Sequence, residues 1–279
     1  TLLFSATYPK NIEELASKIM VCPHRVEATD QHDENTIRQL LWQIRDKSKR
    51  TEGLVTLFRK FNPSSALVFC NTKQLTVDVA LELRKLGFDS GALHGDMEQK
   101  DRNKMLVKFA NNSLSIMVAT DVAARGLDID SLDLVVNYHL SRDPEVHTHR
   151  IGRTGRAGNT GLACSLFHES DEYKIKILEE ILGKPIERAF IDSSKTDFRP
   201  PQASMKTLQI DGGKKQKIRP GDILGSLTRE DSIKASDVGK INVFETFSFV
   251  AIRRHSFKKA LEALNDGQIK GRNFRARKV

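Results

Sequence analysis

From Lys49 onward the chain alternates short, nearly continuous apolar runs with longer stretches whose apolar positions recur every three or four residues. Short apolar runs bounded by turn residues predict buried strands, and a 3.6-residue period predicts helices. Strands are therefore predicted at Ala66–Cys70, Ala92–Leu93, Ser115–Thr120, Leu132–Tyr138, Leu162–Phe167 and Ile186–Ile191. The intervening helices are predicted at Lys49–Phe61, Thr76–Leu86, Glu98–Ala110, Pro144–Arg156 and Asp171–Leu182. Upstream, Thr1–Thr7 and Gln39–Ile44 read as strands. Pro9–Val21 reads as a helix with Ile12, Leu15, Ala16 and Ile19 in its apolar stripe. Strands apolar on both faces, separated by helices, predict a parallel sheet covered on both sides.

The pattern changes after Ile191. Asp192–Ser204 is polar and holds Pro200-Pro201, as a linker does. Beyond it come a strand (Lys206–Ile210), a basic loop (Gly212–Arg219) and a helix (Pro220–Leu227). Two strands (Lys240–Phe244, Phe247–Ile252), a helix (Ser256–Leu264) and a last strand (Asn273–Arg277) complete the series. This β-α-β-β-α-β order is the plan of an RRM-like α+β domain.

Charge sharpens that division. Residues 205–279 carry 17 Lys and Arg against 8 Asp and Glu, whereas residues 1–204 carry 28 of each. The whole excess of +9 sits in the last quarter of the chain, which predicts a polyanion-binding appendage on a neutral body. Three scattered cysteines (Cys22, Cys70, Cys164) read as reduced core residues, so a cytoplasmic location is expected. No apolar run approaches the ~18 residues of a membrane span, and no signal-peptide plan opens the chain. His94, His147 and His149 lack companions at metal-ligand spacing, so no metal site is expected among these residues.

In a parallel sheet ligands bind beyond the carboxyl ends of the strands. The polar residues there are Ser5-Ala6-Thr7, Asn71-Thr72-Lys73, His94-Gly95-Asp96, Thr120-Asp121 and Arg125-Gly126-Leu127-Asp128. One further stretch, His149-Arg150-Ile151-Gly152-Arg153-Thr154-Gly155-Arg156-Ala157-Gly158, repeats arginine at every third position. On a continuous helix His149, Arg153 and Arg156 would fall within about 60° of one another, with Arg150 turned away. Guanidinium forks suit phosphate oxygens, so this face reads either as a phosphate clamp or as a solvated basic helix with an accidental glycine period.

SAT (5–7), VFCNT (68–72), ALHGDMEQKDR (92–102), VATDVAARGLDI (118–129) and HRIGRTGRAG (149–158) together resemble the motifs of DEAD-box RNA helicases, in the family's order. The resemblance spans roughly residues 1–195. It implies the end of one RecA-like domain (1–30) and a second, helicase C-terminal RecA-like domain (31–195). By it, Ser5 and Thr7 couple hydrolysis to strand separation, and Thr72, Gly95, Gln99, Arg102, Thr120 and Asp121 line the RNA backbone. Gln99 and Arg102, three apart on a helix, can share a face. Asp128 would take the ATP ribose, Arg153 and Arg156 the γ-phosphate, and His149 and Arg125 would join the two domains. The family also needs a G-x-x-x-x-G-K-[ST] loop and an Asp-Glu-Ala-Asp run for ATP and Mg2+. The sequence contains neither, so the chain alone is expected to be inactive and to be the C-terminal part of a longer enzyme.

After a linker at 196–204, residues 205–279 form the RRM-like domain. Phe247 and Phe249 stand where stacking aromatics are expected, and either stack on bases or pack in the core. Lys214, Lys215, Lys217 and Arg219 lead into Pro220-Gly221-Asp222 and so bring cations to a helix N-terminus, where phosphate is favoured. IDGGKKQKIRPGDILGSLT followed by DVGKINV is similar to the C-terminal domain of the DbpA group within the family. That resemblance implies a 23S rRNA hairpin and pre-50S particles as partners, with no membrane and no DNA specifically implied. The alternative is a non-catalytic RNA-binding protein that docks on rRNA.

Overall fold

The computed structural model describes residues 10–20, 24, 26, 37–124, 132–155, 160–190, 200–229 and 233–279. The chain divides into two compact units, residues 1–34 and 35–279. The first contributes helix α1 (Lys10–Ile19). Ala16 of the predicted stripe is buried, whereas Ile19 is 60% exposed. The strand expected at Thr1–Thr7 lies outside the described residues.

In the second unit seven parallel strands form one sheet: β1 (Ile37–Gln43), β2 (Ala66–Phe69), β3 (Ser90–Leu93), β4 (Ile116–Ala119), β5 (Leu134–Asn137), β6 (Gly161–Phe167) and β7 (Glu187–Phe190). Their spatial order is β3-β4-β2-β5-β6-β1-β7. The continuous apolar runs arise because alternate residues serve opposite faces, both covered. Ala66, Val68 and Cys70 pack with α2 (Arg50–Phe61) and α3 (Lys73–Lys85), while Leu67 and Phe69 join Phe109 of α4 (Gln99–Ala110) and Ala123 of α5 (Asp121–Ala124). Helix α6 (Pro144–Ile151) follows β5. Helix α7 (Glu172–Leu182) packs Ile175 and Leu178 against Leu41 and Phe167. It ends at Gly183 with φ +65, a left-handed turn that glycine adopts without a Cβ penalty. The chain passes from β2 to β3 and β4 on one side, then returns to the other side of β2 as β5, so the crevice between these strand ends is a switch point of the sheet.

The remaining elements are β8 (Met205–Ile210), α8 (Pro220–Thr228), β9 (Val238–Val243), β10 (Ser248–Arg253), α9 (Phe257–Asp266) and β11 (Ala276–Lys278). They form an antiparallel sheet ordered β11-β8-β10-β9, with both helices on one face over Leu208, Ile210, Val250 and Ile252. The β-α-β-β-α-β order expected from the pattern is present. The basic loop is partly structured, since Lys214–Gln216 form a 3-10 turn closed by Lys217 at φ 60.

Phe249 packs rather than presenting an open ring. It is 2% exposed and meets Phe247 edge-on at 5.3 Å and Phe244 at 5.8 Å. Phe244 and Phe247 are half-buried and stack on each other at 4.9 Å. Thr207, Gln209 and Ala251, which share that sheet face by register, are buried as well.

The predicted linker is anchored in its described part. Ala203 N donates to Asp89 Oδ2 (2.7 Å), and Arg254 Nη2 pairs with the same carboxylate. Arg254 Nε donates to Ala203 O (2.5 Å), Asn111 Nδ2 to Thr207 Oγ1 (3.1 Å) and Met205 N to Asn112 O (3.2 Å). The two sheets are thus joined by polar contacts at the α3–β3 turn and the end of α4.

Candidate functional site

The carboxyl ends of β2, β4 and β5 meet around Arg150, on the inward side of α6. Asp143 caps this helix by accepting from Glu145 N (2.9 Å), and Pro144 at its first position needs no amide partner. His147, Arg150 and Ile151 form the buried side of the helix, and His149 is exposed. Arg150, 2% exposed, donates from Nε to Asp121 Oδ1 (2.6 Å) and from Nη2 to Asp121 Oδ2 (2.8 Å). Its remaining donors reach Asn137 Oδ1 (3.2 Å), His139 O (2.9 Å) and Asn71 Oδ1 (3.3 Å), with the guanidinium 5.3 Å from the Phe69 ring centroid. A fork with five donors fits such convergence, and an ammonium does not. Asp121, expected on the RNA track, therefore has both oxygens engaged from inside.

The continuous helix on which His149 and Arg153 would share an arc does not hold. Helix α6 stops at Ile151, and Arg153 lies in the turn beyond it. The cause is tertiary. Thr154 Oγ1 donates to Leu132 O, Leu132 N donates to Arg153 O (3.4 Å), and Gly155 takes φ +69. A Cβ at Gly161 would collide with the Gly155 backbone, so the two glycines let the turn lie against the start of β6. His149 and Arg153 nevertheless line one recess together with Phe69, Asp121, Val146 and Arg150. Arg125, Asp128 and Arg156 lie outside the described residues.

The other rim residues are held locally. Thr72 caps α3, its Oγ1 accepting from Leu75 N (3.2 Å). Arg102 Nη2 donates to Ala123 O (2.9 Å), which ties α4 to α5, and Gln99 Nε2 donates to Asn103 Oδ1 (2.7 Å). Thr120 O accepts from Ala124 N (3.0 Å) and so opens α5. Gly95 is exposed, and a Cβ there would meet nothing within 4 Å. Lys73 pairs with Asp96 across the ends of β2 and β3.

Burial, reinforced by the Arg150 charge, pushes the His147 imidazole down to about 4, and His147 Nε2 lies 3.1 Å from Gln39 Oε1. Burial, followed by the Arg50 charge, likewise pushes His139 down to about 4. Both rings are neutral at neutral pH. Arg50, also buried, donates to Tyr138 O (2.7 Å) and Leu166 O (2.8 Å) and pins the ends of β5 and β6 together. Among the described residues no three His, Cys, Asp or Glu side chains converge as a metal site. A larger cavity, about 1090 Å³, opens beside α2 and is lined by Trp42, Arg45, Lys60 and Phe190. Of the expected site residues that are described, none lines it.

In the second sheet Lys214, Lys215, Lys217 and Arg219 are all exposed, and Lys214 lies 3.7 Å from Glu245. The start of α8 already holds a carboxylate: Asp222 Oδ2 accepts from Arg219 N (2.8 Å) and pairs with Lys270 Nζ (3.3 Å). That corrects the expectation that this helix N-terminus favours phosphate, because an anion there would meet Asp222.

Sequence reasoning set Arg150 aside and missed Arg50. The available signal was the position of Arg150, three residues after His147 and next to the apolar Ile151, on the side of the helix that is buried.

Residues 47–158 match the family described as helicase conserved C-terminal domain, and residues 207–278 match the DbpA RNA binding domain. The parallel sheet and the small antiparallel domain are thus a helicase C-terminal domain followed by an RNA-binding domain. The chain is 43% identical to the ATP-dependent RNA helicase DbpA of Escherichia coli K12 over 277 residues, 99% of this chain and 60% of that protein. It also resembles the E. coli DEAD-box protein SrmB bound to regulator of ribonuclease activity A (32% identity, TM-score 0.54, 60% of this chain and 98% of that one). S. cerevisiae Dbp5 L327V bound to RNA and ADP BeF3 matches at 28% identity and TM-score 0.60, over 67% of this chain and 50% of that one. The chain belongs to the DEAD-box family, and within it to the group that carries the DbpA RNA binding domain.

Proposed function

We propose that the chain is the C-terminal part of an ATP-dependent RNA helicase that acts on 23S rRNA during assembly of the large ribosomal subunit in the cytoplasm. Arg153 and Arg156 would stabilise charge developing on the γ-phosphate, with His149 and Arg125 joining the two halves of the enzyme and Asp128 holding the ribose. Thr72, Gly95, Gln99, Arg102, Thr120 and Asp121 would line the backbone of the RNA strand. Lys214, Lys215, Lys217 and Arg219 would anchor an rRNA hairpin on pre-50S particles. ATP and Mg2+ would be held mainly by a preceding domain bearing the phosphate loop and the Asp-Glu-Ala-Asp run, so this chain alone would not turn over.

The observation that carries this reading is the recess at the switch point, which His149 and Arg153 line together with Asp121. Its relatives support it: a helicase 43% identical over nearly the whole chain, and a similar fold bound to RNA and ADP BeF3. Arginine fingers are worth about 10³–10⁵ in rate. In a protein extended to include the preceding domain, Arg153→Lys is expected to lower RNA-stimulated hydrolysis on the order of 10³-fold. Turnover by this chain alone, or an unchanged rate in the variant, would refute the assignment.

A further inference from the structure

Helix α4 carries Lys100, Lys104 and Lys108. Residues four apart drift only about 40° around a helix, so the three form one stripe. Lys100 follows Gln99 at the end of the helix nearest the rim, and Lys108 lies three residues before Asn111, which bonds Thr207 across the junction. The stripe rises about 12 Å, the length of a few nucleotides of strand. Among the described residues none of the three lysines forms an ion pair, although the exposed Asp101 lies alongside them.

The charge balance at the junction end is lopsided. Lys108 is half-buried, and its ammonium is held below its ordinary value by burial first and then by Lys104 and Arg84; Lys278 of β11, in register with Leu208 beside the Thr207 that bonds Asn111, acts in the same direction. The opposing carboxylate is Asp89, already engaged by Arg254 and by Ala203 N. Like charges gathered around one occupied carboxylate disfavour the folded arrangement, and a polyanion relieves that repulsion.

We propose that the α4 lysine stripe, continued across the junction by Lys278, is a binding surface for the phosphodiester backbone of an RNA strand running between the helicase rim and the RNA-binding domain. The inference rests on the RNA-binding reading for its partner class. It needs neither the rRNA hairpin nor ATP hydrolysis.

The test uses the whole chain titrated with fluorescein-labelled oligo(U) over a range of salt concentrations. Each phosphate contact on a single strand contributes roughly 0.7 to the slope of log K against log salt. The Lys100→Gln/Lys104→Gln/Lys108→Gln variant should bind about tenfold or more weakly at low salt, with a slope shallower by about 2. Lys278→Gln alone should remove about 0.7 of slope. The triple variant should melt no lower than wild type, because it loses like-charge repulsion. If it melts lower, the exposed Lys100→Glu replaces it, and its affinity for oligo(U) should still fall. Wild-type affinity and slope in a folded stripe variant would overturn the proposal. If a Lys214→Gln/Lys215→Gln variant then weakens binding, the stripe falls and the RNA reading stands. Failure of the wild-type chain to bind oligo(U) would overturn both.

Discussion

The rim of the parallel sheet and the basic edge of the antiparallel sheet handle charge in opposite ways. At the inner part of the rim two buried arginines are paired: Arg150 with Asp121, and Arg50 with Asp171 at 3.5 Å. Residues 1–204 carry no net charge. The basic loop before α8 presents its cations to solvent. Lys215, Lys217 and Arg219 form no ion pair among the described residues, and Lys214 has only an exposed pair of the kind worth little. Paired, buried charge sets positions, whereas unpaired exposed charge attracts polyanions over a Debye length and yields to salt. On the function proposed above, the first region would orient groups for chemistry and the second would hold RNA.

The largest effect expected from breaking this contrast is at Arg150. Arg150→Ala leaves Asp121 and Asn137 without their buried partner, and breaking such a pair costs about 3–5 kcal/mol. Urea denaturation of the chain should show it, and a loss below about 1 kcal/mol would mean the hub is solvated. Replacing Lys215 and Lys217 by glutamine should leave the unfolding free energy from the same urea titration within about 0.5 kcal/mol of wild type.

Next is acid sensitivity. His147 titrates at about 4 when folded against 6.5 when unfolded, so between those values only the unfolded chain takes up the proton. Stability contributed by the neutral ring is fully present above pH 6.5 and is lost as pH falls toward 4, on the order of 3 kcal/mol. Denaturation midpoints measured at pH 7 and pH 5 should separate, and His147→Gln should reduce the difference without abolishing it, because His139 is depressed alike. Equal pH dependence in the variant would mean that another group carries the acid sensitivity.

The smallest effect is at Lys73 and Asp96, both mostly exposed. A double-mutant cycle on stability should find a coupling of about 1 kcal/mol or less. A larger value would place a paired, water-excluded charge on the exposed part of the rim.

The strands were readable because burial on both faces writes continuous apolar runs, and every predicted strand within the described residues appears within a few positions of its expected bounds. The β-α-β-β-α-β order was readable for the same reason. What local pattern could not supply was anything decided by distant chain. Helix α6 was expected to reach Arg156 because Gly152 and Gly155 only mildly oppose a helix by propensity. It is ended by the contacts of Thr154 with Leu132 and of Gly155 with Gly161. Arg150 could be seen to turn away from His149 and Arg156, but its partners come from the ends of three strands that only the sheet order brings together. Phe249 is closed off by Phe244 and Phe247, a cluster the strand's own alternation does not announce. The carboxylate at the start of α8 was visible in Arg219-Pro220-Gly221-Asp222, an acid three residues past the cap position.

The most direct test of the contrast between the two regions is a double dissociation in the protein extended to include the preceding domain, with RNA affinity and RNA-saturated hydrolysis measured side by side. Arg153→Lys should abolish most hydrolysis and leave affinity for a 23S rRNA hairpin unchanged. The Lys214→Gln/Lys215→Gln/Lys217→Gln variant should weaken that affinity and flatten its salt dependence, while hydrolysis at saturating RNA stays near wild type. Loss of both properties in both variants, or of hydrolysis in the loop variant alone, would contradict this division between chemistry and holding.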